Sequence, residues 1–298
     1  MGHRILCSLV VLALASVSPA GRADTLPAGA LEKRCWLAHT SERTAVDLRE
    51  PTAVSFSNLR NGYAFRSPFW VEFGVRGMGV VPAGNKNERA GHHHILIDTP
   101  LPINHQAQIP FSDTHKHFGK GQTGTQLDLP DGKHTLRLLF ADHEHRPYFV
   151  YSREISIQVI GRRTAAPVRI ESNNFDDSCT LWYQDTMAAP RSGAKEAYVK
   201  NLRDEEVVGS PFTLSFGVVG LGIAPAAQKV KDTGHFIYTI NSRGGGQVQR
   251  QVLADGRTES LIELPRGDYE LDLRLQDSDG NQLLKAPPLR FSVQKQER

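Results

Sequence analysis

Cysteine and methionine are scarce, with three of each in 298 residues. Neither occurs in the segment where the histidines gather. A blue-copper electron-transfer site, which needs a thiolate ligand, is therefore not expected, and imidazole without soft sulfur favours zinc or Cu(II) over Cu(I). Strong charge of one sign is also lacking. The formal net charge is +3 and no basic run is interleaved with aromatics, so a groove tracking nucleic-acid phosphates is not expected. Only one apolar run, Ile5 to Val17, stands out, and it falls short of the roughly 20 residues that span a bilayer, which argues against an integral membrane protein. The P-loop pattern and the Gly-x-Ser-x-Gly elbow are missing. Phe118-Gly119-Lys120-Gly121-Gln122-Thr123-Gly124 reads as a turn packed beside His115 and His117. No window longer than about ten residues carries a helical period.

What is present is an ordinary globular composition, 39% hydrophobic and 22% charged, with length enough for two domains. Arg4, the apolar run and the small residues at Ser18-Pro19-Ala20 or Gly21-Arg22-Ala23 form a signal peptide, assigned to residues 1–23, so export to the periplasm is expected. Cys7 lies too early to be a lipoprotein cysteine. Removal of this segment leaves Cys35 and Cys179 in an oxidising compartment, where a disulfide is the default.

The rest of the chain repeats itself. Asn58-Leu59-Arg60 recurs as Asn201-Leu202-Arg203, Ser67-Pro68-Phe69 as Ser210-Pro211-Phe212, and Phe73-Gly74-Val75 as Phe216-Gly217-Val218. Gly77, Gly79 and Gly91-His92 keep the same register with Gly220, Gly222 and Gly234-His235, so duplication follows. Farther on, Leu127-Asp128-Leu129-Pro130 faces Ile262-Glu263-Leu264-Pro265 and Asp142 faces Asp277 at a shorter offset. The second copy has lost residues opposite the stretch between Asp98 and Gln126. Alternating segments such as His134 to Phe140 and Tyr269 to Leu275, separated by turns at Asp131-Gly132 and Asp279-Gly280, predict strands. The expected architecture is all-β: two tandem antiparallel β-sandwich, immunoglobulin-like domains at 24–160 and 168–298, joined by a linker at 161–167. A Cys35–Cys179 bridge would staple the copies together.

Nine of the twelve histidines lie between His92 and His145. On an extended Gly91-His92-His93-His94-Ile95-Leu96-Ile97, His92 and His94 share one face, and His93 shares the other with Ile95 and Ile97. That places His93 partly buried, with His92 and His94 turned outward or toward a loop. His115 with His117 and His143 with His145 have the same two-residue spacing, which offers paired imidazoles to a metal. Asp98, Asp113, Asp142 and Glu144 are candidate carboxylate ligands or partners that fix imidazole tautomers. For any single histidine a satisfied structural role is the simpler account, but the cluster points to a metal or anion site. The second copy serves as a control, because it retains only His235.

The blocks from Phe69 to Val81, Gly91 to Asp98, His115 to Thr123, and Asp131 to Leu136 with Asp142 and His145 resemble the DUF4399 family of exported bacterial domains. The resemblance covers about residues 65 to 160, with the second copy as a degenerate member. It implies that His92, His93, His94, His115, His117, His134 and His145 belong to the family pattern, with His143 on its margin. It brings no reaction with it. The leading expectation is a non-enzymatic periplasmic module that binds a divalent transition metal, copper or zinc, and serves metal handling or an envelope protein partner. A histidine-liganded metalloenzyme and a metal-free interaction module are the alternatives.

Overall fold

The alternating segments become strands. The computed structural model describes residues 25–47, 51–102, 104, 106–164 and 166–294, so the signal peptide, Cys7 and His105 fall outside the described residues. The first half contains β1 (Ala53–Phe56), β2 (Ala64–Ser67), β3 (Phe69–Arg76), β4 (Gly79–Val80), β5 (Ala90–Ile97), β6 (His115–Phe118), β7 (Gly124–Leu127), β8 (Gly132–Ala141), β9 (Pro147–Tyr151) and β10 (Ile155–Arg162). The second half repeats them as β11 (Glu196–Val199), β12 (Glu206–Gly209), β13 (Phe212–Val219), β14 (Gly222–Ile223), β15 (Thr233–Ser242), β16 (Gln247–Val252), β17 (Glu259–Ile262), β18 (Gly267–Gln276), β19 (Gln282–Lys285) and β20 (Leu289–Gln294).

Each half is a sandwich. In the first, a sheet ordered β1-β3-β7 packs on one ordered β2-β10-β8-β5-β4, with β6 added to β5 and β9 to β8. The second half has the same orders, β11-β13-β17 and β12-β20-β18-β15-β14, with β16 on β15 and β19 on β18. Pairing is antiparallel except for β2 on β10, β12 on β20, β4 on β5 and β14 on β15. Inward residues such as Phe69, Phe73, Ile95, Leu138 and Phe140 are sealed from water, and this core is continuous with that of the second half. The stretch read as a linker opens with the last two residues of β10.

Helices are the departure from the sequence reading. α1 (Ala30–Ala38), α2 (Thr40–Thr44) and α3 (Phe175–Met187) are present, and α3 exceeds the expected length limit. Its buried stripe is thin: Cys179, Tyr183 and Met187 together with the charged Asp185. Such a pattern carries a weak periodic signal, and the helix is held by tertiary contacts instead.

Those contacts are exchanged between the copies. α1 and α2 precede the first half but dock on the second: Trp36 Nε1 donates to Glu206 at 2.7 Å, Arg43 donates to the carbonyl of Asn201 at 2.8 Å and pairs with buried Glu206. α3 docks on the first half, where Asn58 donates to the carbonyl of Met187 at 2.8 Å and Arg66 pairs with Asp185 at 2.8 Å. The repeated asparagines make the symmetry explicit. Asn58 Nδ2 donates to the carbonyls of Trp70 and Met187, and Asn201 Nδ2 to those of Thr213 and Arg43. Between the exchanged helices Cys35 and Cys179 form a disulfide with their α-carbons 5.6 Å apart, so the bridge does join the two copies.

The same two-fold logic explains the glycines of the lysine-bearing turn. Ile223 N donates to Gly121 O at 2.8 Å, and its counterpart Val80 N donates to Gly256 O at 2.9 Å. A Cβ on Gly79 would lie 1.8 Å from the carbonyl oxygen of Asp255, and one on Gly222 would lie 1.9 Å from that of Lys120. The turn is thus a contact between halves as well as a neighbour of His117.

The disulfide closes a loop of 144 residues. Replacing both cysteines with serine is expected to lower unfolding free energy by about 3 to 5 kcal/mol in urea titration, on a chain-entropy argument. A loss under about 1 kcal/mol would mean that the exchanged helices hold the halves together without it.

Candidate metal centre

β5 supplies the floor of the site. Strand alternation puts His92 and His94 on its outer face, and their Nε2 atoms approach to 3.0 Å. β6 runs antiparallel to β5 with His117 directly opposite His94, so this third imidazole joins the same face, its ring centroid 4.9 Å from both His92 and His94. His145 comes from the turn between β8 and β9, its ring 5.1 Å from His92 and 4.7 Å from His117. One ring nitrogen each from His92, His94 and His117 lies within 4.8 Å of the others, with no carboxylate in the group.

The electrostatics favour neutral imidazoles. His92 and His94 are fully buried, turned toward the segment before β6, which covers this face with Ile109 against Leu96 and Phe111 beside His94. Burial, reinforced by the neighbouring histidines, lowers the His92 pKa to about 3 and that of His94 to about 2. The His117 pKa is lowered too, by burial and then by His145. Neutral rings offer lone pairs rather than charge. Among the described residues His92 Nδ1, His94 Nδ1 and His117 Nε2 are buried without a hydrogen-bond partner, and an unsatisfied buried polar group costs about 1–3 kcal/mol.

The second half shows what the fold requires at these positions. Where His94 faces His117, Ile237 faces Val252 in the corresponding register. The turn carrying His145 is reproduced as well: Asp142 Oδ1 accepts from the backbone N–H groups of Glu144 and Arg146, as Asp277 Oδ1 does from those of Asp279 and Asn281. At the left-handed position of that turn the second half has Gly280, φ 89°, and the first has His145, φ 66°. Glycine adopts this conformation freely and a histidine does not. His145 thus takes a conformation that its counterpart leaves to glycine, and its ring lies against those of His92 and His117.

The other predicted residues lie elsewhere. His93 points into the core between Phe73 and Phe140, ring centroids 5.0 and 4.9 Å away, at the place of core residue Phe236. His115 shares the face of His117, but its Nδ1 is paired with the hydroxyls of Thr114 and Ser112 at 3.0 and 3.2 Å. His134 stands near the far end of β8, bonded to Asp98 at 2.7 Å and to the carbonyl of Pro130 at 3.0 Å. Asp98 is thereby engaged away from the cluster. Asp142 builds the turn that presents His145, Lys116 pairs with Asp113 at 2.9 Å, and Arg146 pairs with Glu144 at 2.5 Å. The half-exposed His143 contributes its backbone carbonyl to Gly84 N. A second grouping, Cys35, His39 and Cys179, has its sulfurs committed to the disulfide.

Sequence reasoning missed Phe111. Its ring lies 4.8 Å from that of His117, 5.2 Å from His145 and 6.3 Å from His94. It is carried by the surplus segment between β5 and β6, and that surplus was the available signal.

Fold and side chains together define a tandem β-sandwich protein with a buried histidine cluster in one half only. The chain belongs to the family described as Domain of unknown function (DUF4399), whose profile matches residues 71–160 and 214–292. Comparison with curated proteins gives no match. Similar solved structures include CopC from Methylosinus trichosporium OB3b, 21% identical with a TM-score of 0.24 over 35% of this chain and 98% of that one. Others are the fibronectin(III)-like modules of Clostridium thermocellum CbhA, 9% identical with a TM-score of 0.21 over 81% and 93%, and a two-domain fibronectin type-III segment of chicken tenascin, 10% identical with a TM-score of 0.20 over 82% and 97%. The histidine cluster itself is the ground for a functional reading.

Two outcomes follow from this geometry. His145→Gly is expected to raise the stability of the metal-free protein by about 1 kcal/mol through relief of backbone strain, read as a higher urea midpoint; a lower midpoint would show that the ring contributes packing instead. Burial lowers the His134 pKa, but its bonds to Asp98 and Pro130 outweigh this and leave it raised above 6.5. A raised folded pKa stabilises below the unfolded value and loses that contribution as pH climbs through the folded one. His134→Gln should therefore destabilise more at about pH 5.5 than at about pH 8.5, and an equal loss at both would contradict the assignment.

Proposed function

We propose that the first half, residues 24–160, is a metal-binding domain of an exported periplasmic protein, and that it holds a divalent transition ion, copper or zinc, on His92, His94, His117 and His145. The observation that carries the reading is the substitution of three imidazoles, the buried His94 and the partly buried His117 and His145, for Ile237, Val252 and Gly280 on an otherwise repeated scaffold. Folding alone does not account for it, since the second half folds without them. Neutral imidazole lone pairs suit a cation over an anion, and nitrogen donors suit copper or zinc. The lowered pKa values of His92, His94 and His117 leave those rings deprotonated at neutral pH, as ligation requires.

The role is non-enzymatic: the domain stores or passes on its ion, or uses it to engage an envelope partner, and residues 168–298 act as the scaffold. The disulfide between Cys35 and Cys179 supports an oxidising compartment.

Chelator-stripped protein reloaded with Cu(II) or Zn(II) is expected to bind one equivalent by elemental analysis. His94→Ala and His117→Ala should weaken affinity by at least about 10-fold, the low end of the effect seen even for outer partners of ligands, while His235→Ala leaves it unchanged. Absence of stoichiometric metal under replete conditions overturns the reading. Metal release to an acceptor chelator fits a handling role, and turnover of superoxide or an ester by the loaded protein would move the assignment to an enzyme.

A further inference from the structure

The segment between β5 and β6 distinguishes the two halves as sharply as the histidines do. In the second half β15 and β16 are joined by the short turn 243–246, whereas in the first half the chain departs after Ile97 and returns at His115. The return path lies over the cluster. Ile109 is buried against Leu96, Leu139 and Ala141, and its N–H donates to the carbonyl of His145 at 2.9 Å. Two residues later comes Phe111, 61% exposed. Packing does not explain a phenyl ring kept mostly in water. Its inner side rests against His94, His117 and His145.

We propose that Phe111 is a specificity-determining residue of the histidine site, whose ring keeps water and small anions off the solvent side of the bound ion. This rests on the metal reading above. The sheet lies beneath the cluster and His117 and His145 flank it, so the ring occupies the side that faces solvent. No carboxylate belongs to the group formed by His92, His94 and His117, and His145, its ring 4.7 Å from that of His117, adds another imidazole. A divalent ion held there keeps its full charge and attracts an anion as an additional ligand. An apolar ring opposes that approach, because a hydrophobic shell controls solvent access and the dielectric around a metal. The outcome is a site that retains its ion without an exchangeable coordination position, consistent with a carrier rather than a catalyst.

The test is azide binding to the full mature protein loaded with Cu(II), or with Co(II) as a spectroscopic stand-in for zinc. Phe111→Ala should bind azide at least about 10-fold more tightly than the unsubstituted protein, judged by a new ligand-to-metal absorption band, since the apolar shell is breached. Phe111→Leu, which keeps an apolar cover, should resemble the unsubstituted protein. Equal azide affinity in the unsubstituted protein and Phe111→Ala, or no azide binding by either, overturns the proposal while leaving the metal site standing. Failure of the unsubstituted protein to take up either ion overturns the metal reading and this proposal with it.

Discussion

Burying an imidazole without satisfying both of its nitrogens is unfavourable by about 1–3 kcal/mol for each orphaned group, and the first half does so repeatedly on one face of β5. The other half places an isoleucine–valine pair at the same cross-strand position and loses nothing of the fold. The turn residue His145 adds backbone strain of about 1–3 kcal/mol where glycine serves its counterpart. The rings of His92, His94, His117 and His145 lie against one another, while buried imidazole nitrogens without a hydrogen-bond partner occur also on His93 and His235 among the described residues. Stability is marginal in proteins of this size, and this concentration of unfavourable terms is the ground on which the metal site is proposed.

Support for that volume comes from the duplication. Each sandwich receives the other copy's leading helix, the exchange is fixed by Asn58 and Asn201 and closed by the disulfide. The glycines at 79, 121, 222 and 256 permit close contact between the halves, and Gly121 lies in the turn that follows β6, the strand of His117. The second half thus packs beside the turn that follows β6. The first half adds the histidines and the longer connection that covers them.

Much of this was legible in the sequence. The repeat, the strands and the separation of His93 from His92 and His94 follow from alternation and register alone. The pairing of His117 with the triplet was proposed from spacing, and strand register in the structure brings the two together. Three things were not legible. α3 is held by tertiary contacts and a disulfide, so its own pattern is faint. The exchange of leading helices depends on which surface each meets, which no local pattern encodes. His134 and His115 look like His117 in sequence, and only position along the strands and local hydroxyl or carboxylate partners draw them away from the cluster. His145 was readable in principle, since its alignment with Gly280 marks a left-handed turn position.

The central claim is that four imidazoles of the first half enclose one transition ion. X-ray absorption at the metal edge of the loaded protein tests it most directly. The account predicts a first shell of nitrogen at about 2.0–2.1 Å with the outer-shell scattering of imidazole rings, and loss of part of that scattering in His117→Ala. A shell made mainly of oxygen, or imidazole scattering that persists unchanged in that variant, would contradict it.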